Sequence, residues 1–196
     1  MINSREYWEK RYEEGGHSGL GSYGFLANYK KNFINKFIKK NNIKSLLEYG
    51  CGDGNQLLMI SCDEIYGVDV SDVAIKKCRE LMPNGKFSVI SENDELFLKK
   101  TDLLLSLDVL YHLLEDEVFE RYLKNIVEHS SEYVIIYSSD FDDNENFSKH
   151  VRHRKFSDHP ILMEKYDLVK HEKNSHKSTN HKKGSFSEWF IYKKIK

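Results

Sequence analysis

The sequence predicts an α/β protein built on a parallel sheet with helices on both faces. Three observations carry this. Short apolar runs alternate with longer stretches of helical spacing. A glycine-rich turn, Gly50-Cys51-Gly52-Asp53-Gly54, follows the first apolar run, and an acid, Asp69, ends the second. With 196 residues the chain has room for one such domain with a real core, and too little for two.

The elements follow in order. Tyr7–Tyr12 reads as a short helix ended by Gly15-Gly16, and a loop containing Gly and Ser runs from His17 to Gly24. Phe25, Leu26, Tyr29, Phe33, Ile34, Phe37 and Ile38 recur at helical spacing with Lys and Asn between them, the pattern of an amphipathic helix with one buried face. Ile43–Tyr49 is a short apolar strand, Gly50–Gly54 a tight turn, and Asn55–Ser61 the opening of a helix. Glu64–Val70 is the second strand and Ser71–Leu81 the second helix of the alternation, with Ser71 as its N-cap. Pro83-Asn84-Gly85 turns the chain into a strand near Phe87–Ile90. Asp102–Val109 is a strongly apolar strand, Asp116–His129 an amphipathic helix and Glu132–Ser138 another buried strand. After a stretch rich in His, Lys and Asn, Tyr166–Lys173 and Phe186–Lys194 read as two strands of a hairpin across Asn174–Ser185.

Composition narrows the function. Hydrophobic residues make up 39% and charged residues 31%, a globular balance, and no apolar run approaches the roughly 18–20 residues of a membrane span. The polar start, Met1–Glu6, has no signal-peptide character, so a cytoplasmic location is expected. Three cysteines without a CxxC pair argue against a disulfide framework and a zinc site, and no metal is expected. The net charge of −1 gives no global pull toward nucleic acid. Lys149–Lys183 nevertheless carries ten Lys/Arg against four Asp/Glu, together with six of the nine histidines. That bias favours an anionic partner there as readily as it describes a solvated face.

The chemistry is carried by Ser45-Leu46-Leu47-Glu48-Tyr49-Gly50-Cys51-Gly52-Asp53-Gly54-Asn55-Gln56, a strand running into a glycine turn and then a helix. In an open α/β sheet, ligands bind beyond the carboxyl ends of such strands, and glycines let the backbone turn sharply and come close. A dinucleotide fingerprint would read G-x-G-x-x-G/A, but position 55 is Asn and the spacing is G-x-G-x-G, preceded by Glu48. Acids beside the loop disfavour a pyrophosphate. They suit a ligand with an amino group and a sulfonium, and S-adenosylmethionine is such a ligand. Asp69, 19 residues after Gly50 in Gly67-Val68-Asp69-Val70-Ser71, can accept hydrogen bonds from both ribose hydroxyls.

Residues 43–138 resemble a class I S-adenosylmethionine-dependent methyltransferase. The match lies in Glu48-x-Gly50-Cys51-Gly52-x-Gly54, in Gly67–Ser71 and in Asp102-Leu103-Leu104-Leu105-Ser106-Leu107-Asp108-Val109-Leu110-Tyr111-His112-Leu113. Tyr7–Gly24 and His150–Ser157 also resemble short bacterial methyltransferases, some of which accompany genes for surface polysaccharides. The resemblance implies a Rossmann-like, three-layer αβα fold of about seven strands with the last antiparallel. Its parts would be a helical cap over 1–42, a cofactor-binding core over 43–138 and a substrate-side loop with the hairpin over 139–196. It also implies roles. Gly50, Gly52 and Gly54 would line the methionine moiety with Glu48 beneath it, Cys51, Asn55 and Gln56 would also bind the cofactor, and Asp69 would hold the ribose and Val70 pack on the adenine. The turn Ser91-Glu92-Asn93-Asp94 departs from the common Gly-Asp-Ala form, and Asn93 and Asp94 are its candidates for the adenine amine. Leu107 and Asp108 would close the site.

Methyl transfer from a sulfonium mainly needs positioning and exclusion of water; an alcohol acceptor must also lose a proton. His112, a few residues past the fourth strand, is the candidate base, with Asp108 to orient it or to contact the cofactor amine; packing on the following helix is the plainer role for His112. Arg152, His153 and Arg154, shortly after the fifth strand, are candidates for binding a phosphate or carboxylate, against the plainer reading of a solvated loop. Trp8, Arg11, Tyr12, Ser22 and Tyr23 are candidates for a lid over the cofactor and, with Tyr111, for substrate binding, against the plainer reading, for Trp8 above all, of a helix packed on the sheet edge. The expected reaction is O-methylation of a small, anionic acceptor: a phosphorylated or nucleotide-linked sugar or a phosphoramidate of a surface glycan. The rivals are a tRNA or rRNA methyltransferase and a non-catalytic nucleotide-binding domain.

Overall fold

The computed structural model describes residues 3–90, 100–145, 147–178 and 184–195. The chain enters through two helices, α1 (Ser4–Glu13) and α2 (Gly24–Asn41). It then alternates: β1 (Ser45–Tyr49), β2 (Glu64–Asp69), α3 (Asp72–Leu81), β3 (Lys86–Val89), β4 (Thr101–Leu107), α4 (Asp116–His129) and β5 (Ser130–Ser138). A short helix, α5 (Pro160–Met163), precedes β6 (Tyr166–Glu172) and β7 (Glu188–Lys194). The seven strands form one sheet in the order β3-β2-β1-β4-β5-β7-β6. The first five are mutually parallel, and β7 runs antiparallel to both β5 and β6. This is the α/β, three-layer sheet with antiparallel last strand that the sequence predicts.

Strand alternation builds two cores, one per sheet face. Leu47, Tyr66, Val68, Leu104, Val134 and Ile136 pack with Phe119, Leu123 and Ile126 of α4. Their neighbours Leu46, Leu103, Leu105, Leu107, Ile135 and Tyr137 pack with Ile34 and Ile38 of α2 and Ile75 and Cys78 of α3. Period-2 exposure of each strand to two apolar layers explains why these strands read as continuous apolar runs. Ser71 caps α3, its side chain accepting from the Ala74 amide.

The helix expected over Asn55–Ser61 is absent; that segment holds only a single 3-10 turn, Leu57–Met59. The link from there back to Glu64, which pairs with Ser45, is otherwise non-helical, and it buries Leu57 and Ile60.

β1 and β4 are neighbours whose outgoing connections leave toward opposite ends of the sheet, so a crevice opens beyond their carboxyl ends. Among the described residues no helix is long and apolar enough to cross a membrane.

Candidate active site

A cavity of about 650 Å³ occupies that crevice. Its floor is the end of β1 and the turn after it. Gly50, Gly52 and Gly54 all have positive φ, at 83°, 55° and 79°, a region in which a side chain is strained. Space is equally restrictive: a Cβ on Gly50 would lie 2.6 Å from Val109 Cγ2, and one on Gly52 would lie 2.8 Å from the Tyr12 hydroxyl and closer still to Ser18 Oγ. The Gly52 amide donates to Asp69 Oδ2 at 2.8 Å and the Ser71 amide to Asp69 Oδ1 at 3.1 Å. The two sequence signals, 17 residues apart at this contact, therefore meet at one point. Burial pushes the Asp69 carboxyl up to about 6 against these amide bonds.

Glu48 lies beneath the loop, fully buried, and its Oε2 has no hydrogen-bond partner. Burial raises its carboxyl to about 8; the Lys30 ammonium pulls the other way, and Asp69, Asp108 and Asp53 push further up. Gln56 Oε1, also in the cavity wall, is a second buried acceptor without a donor. Two unmet acceptors and a surplus of carboxylates form a place for a cationic donor such as an ammonium. The residues present thus fit the methionine end of S-adenosylmethionine.

The N-terminal segment is the roof. Ser18 N and Tyr23 OH both donate to Asp53 Oδ2, at 3.0 and 2.8 Å, and the Asp53 amide donates to Ser18 Oγ at 2.9 Å. Asn55 Nδ2 donates to the Ser22 carbonyl at 2.6 Å. Tyr12 OH lies 2.9 Å from Ser18 Oγ. Asp53, Asn55 and Tyr23 therefore clasp the roof to the glycine loop. Gly54 and Asn55 do not themselves line the cavity, nor does Tyr23, while Gly50, Cys51, Gly52, Gln56, Asp69, Val70 and Leu107 do. Trp8, Arg11, Tyr12, Ser22 and Tyr111 also line it. Asn93 and Asp94 lie outside the described residues.

Asp108 turns the chain after β4 with φ 58°. Its carboxylate pairs with Lys30 Nζ at 2.7 Å and accepts from Tyr111 OH at 3.0 Å and Ser187 Oγ at 2.8 Å. Lys30 is 1% exposed and sits on the buried face of α2 with Leu26, Ala27, Ile34 and Ile38. Sequence reasoning missed it. The one signal was a lysine at an apolar position of the helical repeat.

His112 ends a 3-10 turn, Leu110–His112, in the cavity wall. Its Nδ1 is 3.1 Å from the His150 carbonyl oxygen. A carbonyl only accepts, so Nδ1 carries the proton and Nε2 is left as an acceptor. Trp8 stands edge-on to the ring at 4.9 Å. Burial lowers the imidazole to about 4, so the ring is neutral at physiological pH.

The basic segment after β5 is placed elsewhere. Arg154 donates to Asp116 and to the carbonyls of Leu113 and Leu114, and Arg152 to Asp116 and Leu114. His153 is buried with Nδ1 2.6 Å from Ser139 Oγ. None of the three lines the cavity. The guanidinium groups of Arg152 and Arg154 fasten this loop to the start of α4 rather than facing the cavity.

Residues 24–179 match the family model described as "Methyltransferase domain". A curated relative, "Putative methyltransferase 235L" of Invertebrate iridescent virus 6, is 26% identical over 110 residues, 54% of this chain but only 41% of that protein, so the chain spans less than half of that relative. Among solved structures, the N-methyltransferase NodS from Bradyrhizobium japonicum WM9, in complex with S-adenosyl-L-homocysteine, superposes with a TM-score of 0.73 at 13% identity, covering 100% of both chains. Magnesium protoporphyrin IX methyltransferase (ChlM) from Synechocystis PCC 6803, also with bound S-adenosylhomocysteine, gives 0.67 at 14% identity over 98% of this chain and 97% of that one. At these identities the two structures bear on the fold. The sequence match over residues 24–179 decides the membership: this chain belongs to the methyltransferase domain family.

Proposed function

We propose that the protein transfers the methyl group of S-adenosylmethionine to an oxygen of a small acceptor, with His112 as the base. S-adenosylmethionine is the cofactor, and when bound it supplies an electrophilic methyl carbon on a positively charged sulfur. The observation that carries the reading is the buried, partnerless Oε2 of Glu48 beneath a glycine loop whose Gly52 amide holds Asp69.

The chain's own residues divide the work. Glu48 and Gln56 would offer acceptors to the amino group, and Asp69 would hold the ribose beside Val70. Lys30 keeps Asp108 paired and fixed below the roof. The clasp from Asp53 to Ser18 and Tyr23 closes the cavity against water, which would compete as acceptor. His112 receives the acceptor's proton at Nε2, held in orientation by the His150 carbonyl. An anionic group on the acceptor would be met by Arg11, which lines the cavity and whose guanidinium lies over the Trp8 ring at 5.6 Å with Nε donating to the His17 carbonyl, rather than by Arg152 or Arg154.

Calorimetry with S-adenosylhomocysteine and turnover of methyl-labelled S-adenosylmethionine test this. We expect binding by the wild type and at least tenfold weaker binding by Glu48→Gln, which keeps the shape and removes the charge. His112→Ala should keep the affinity and lose most of the turnover. Absence of binding by folded wild-type protein would refute the cofactor assignment; unchanged turnover in His112→Ala would refute the base.

A further inference from the structure

A cluster of rings lines the cavity around His112. Trp8, Tyr111, His112, Phe147, His150 and Phe186 all line it. They contact one another in a continuous wall: Trp8 to His112 at 4.9 Å, His112 to Tyr111 at 4.6 Å, Tyr111 to Phe186 at 5.0 Å, and Phe186 to Phe147 at 6.1 Å. The His112 and His150 rings are nearly parallel at 5.7 Å, and Tyr7 stacks on His150 at 4.8 Å. These contacts hold the rings against one another around the cavity.

Such a wall discriminates among acceptors. A sugar or polyol brings a hydroxyl on almost every carbon, and each needs a donor or acceptor when it leaves water. Two polar groups on this wall are already committed, Tyr111 OH to Asp108 and His112 Nδ1 to the His150 carbonyl. A flat aromatic ligand asks only for ring faces and edges, and offset or edge-on contacts at these separations favour it.

Building on the methyl-transfer reading, we propose that the acceptor is a flat aromatic ring bearing an acidic hydroxyl, a phenol, held against this wall with its oxygen toward Nε2 of His112. In the reaction the phenolic oxygen forms its bond to the methyl carbon as the carbon–sulfur bond breaks. The electron pair stays on sulfur, which becomes a neutral thioether, and the phenolic proton passes to His112 Nε2. The weak basicity of the buried imidazole points the same way. A phenolic proton titrates near 10, as in tyrosine, much closer to this base than an aliphatic hydroxyl of water-like acidity near 15.7. The smaller gap makes proton transfer in the transition state easier.

The test uses the full chain with labelled S-adenosylmethionine and four probes: p-cresol, 4-hydroxybenzoate, cyclohexanol and glucose 1-phosphate. Methylation of a phenol at least tenfold faster than of cyclohexanol or glucose 1-phosphate supports the proposal. So does a rise of at least fivefold in the KM for that phenol in Trp8→Ala, or in Phe147→Leu should Trp8→Ala fail to fold. Turnover of glucose 1-phosphate or cyclohexanol equal to or above that of both phenols overturns it, as does failure of both phenols to be methylated or to inhibit. Calorimetry with S-adenosylhomocysteine separates the two levels. Binding without phenol turnover refutes the acceptor class alone, whereas no binding refutes the methyl-transfer reading and the acceptor with it.

Discussion

Lys30 shows how much one side chain can decide. A lysine with almost no exposure must be paired, and its partner is Asp108 at 2.7 Å, itself held by Tyr111 and Ser187. Removing one member of a buried pair leaves the other charge unmatched, at a cost of about 3–5 kcal/mol. Lys30→Met should therefore lower unfolding stability by about 3 kcal/mol in a denaturant titration. Lys30→Met combined with Asp108→Asn should recover part of that loss; equal losses in the single and double variants would contradict the coupling. The sequence makes Glu48, Gly50, Gly52 and Asp69 legible because their spacing follows from backbone geometry, a tight turn at one strand end and an acid at the next. It does not disclose Lys30, because a lysine in an amphipathic helix ordinarily faces water. Nor does it disclose the fate of Arg152 and Arg154: nothing local in the chain announces that Asp116, 36 residues before Arg152, will claim both guanidinium groups.

At the scale of elements, α1 and the loop from 14 to 23 are attached to the glycine turn by side chains rather than by sheet hydrogen bonds. Asp53 receives two of those bonds, and its carboxyl titrates below the usual range, with Ser18 and Tyr23 donors outweighing burial. Such an attachment can open without disturbing the sheet, as a lid must. Tyr23→Phe deletes one bond to a charged acceptor, worth about 1.5–3 kcal/mol. Stopped-flow displacement of S-adenosylhomocysteine should then show a dissociation rate raised about tenfold, with hydrogen exchange faster in α1 and unchanged in β1 and β4. An unaltered rate would mean that the clasp does not govern opening. The strands and α3, α4 and the hairpin are legible in the sequence because their periodicity matches their burial. The link from Asn55 to Asp63 is not, since its apolar residues satisfy a helical pattern while the chain there forms only a 3-10 turn, Leu57–Met59.

Across the whole molecule, buried titratable groups of opposite kinds set how stability follows pH. His112, His150 and His153 are held below their ordinary value by burial, the first and last to about 4. The unfolded chain therefore binds their protons first, and stability rises with pH until about 6.5, where the unfolded histidines are neutral. Glu48 and Asp69 act in the opposite sense. Raised to about 8 and about 6 from ordinary values of 4.5 and 3.8, they keep protons that the unfolded chain has released, so their contribution is lost as pH climbs through the folded values. Below about 6.5 the two sets oppose each other; from about 6.5 to 8 Glu48 acts alone among them. Unfolding stability of the ligand-free protein should thus pass a maximum near pH 6.5 and fall toward pH 8, by no more than about 1.4 kcal/mol per pH unit. A cation bound beside Glu48 favours its carboxylate, so binding expels a proton and affinity should climb with pH up to about 8. Calorimetric melting from pH 5 to 9, with and without S-adenosylhomocysteine, reads both trends. In Glu48→Gln the decline above pH 6.5 and the pH dependence of binding should vanish together. A wild-type stability that keeps rising to pH 8 would show that Glu48 is already ionised in the folded protein, and the unmet oxygen beneath the glycine loop would then have a partner of its own.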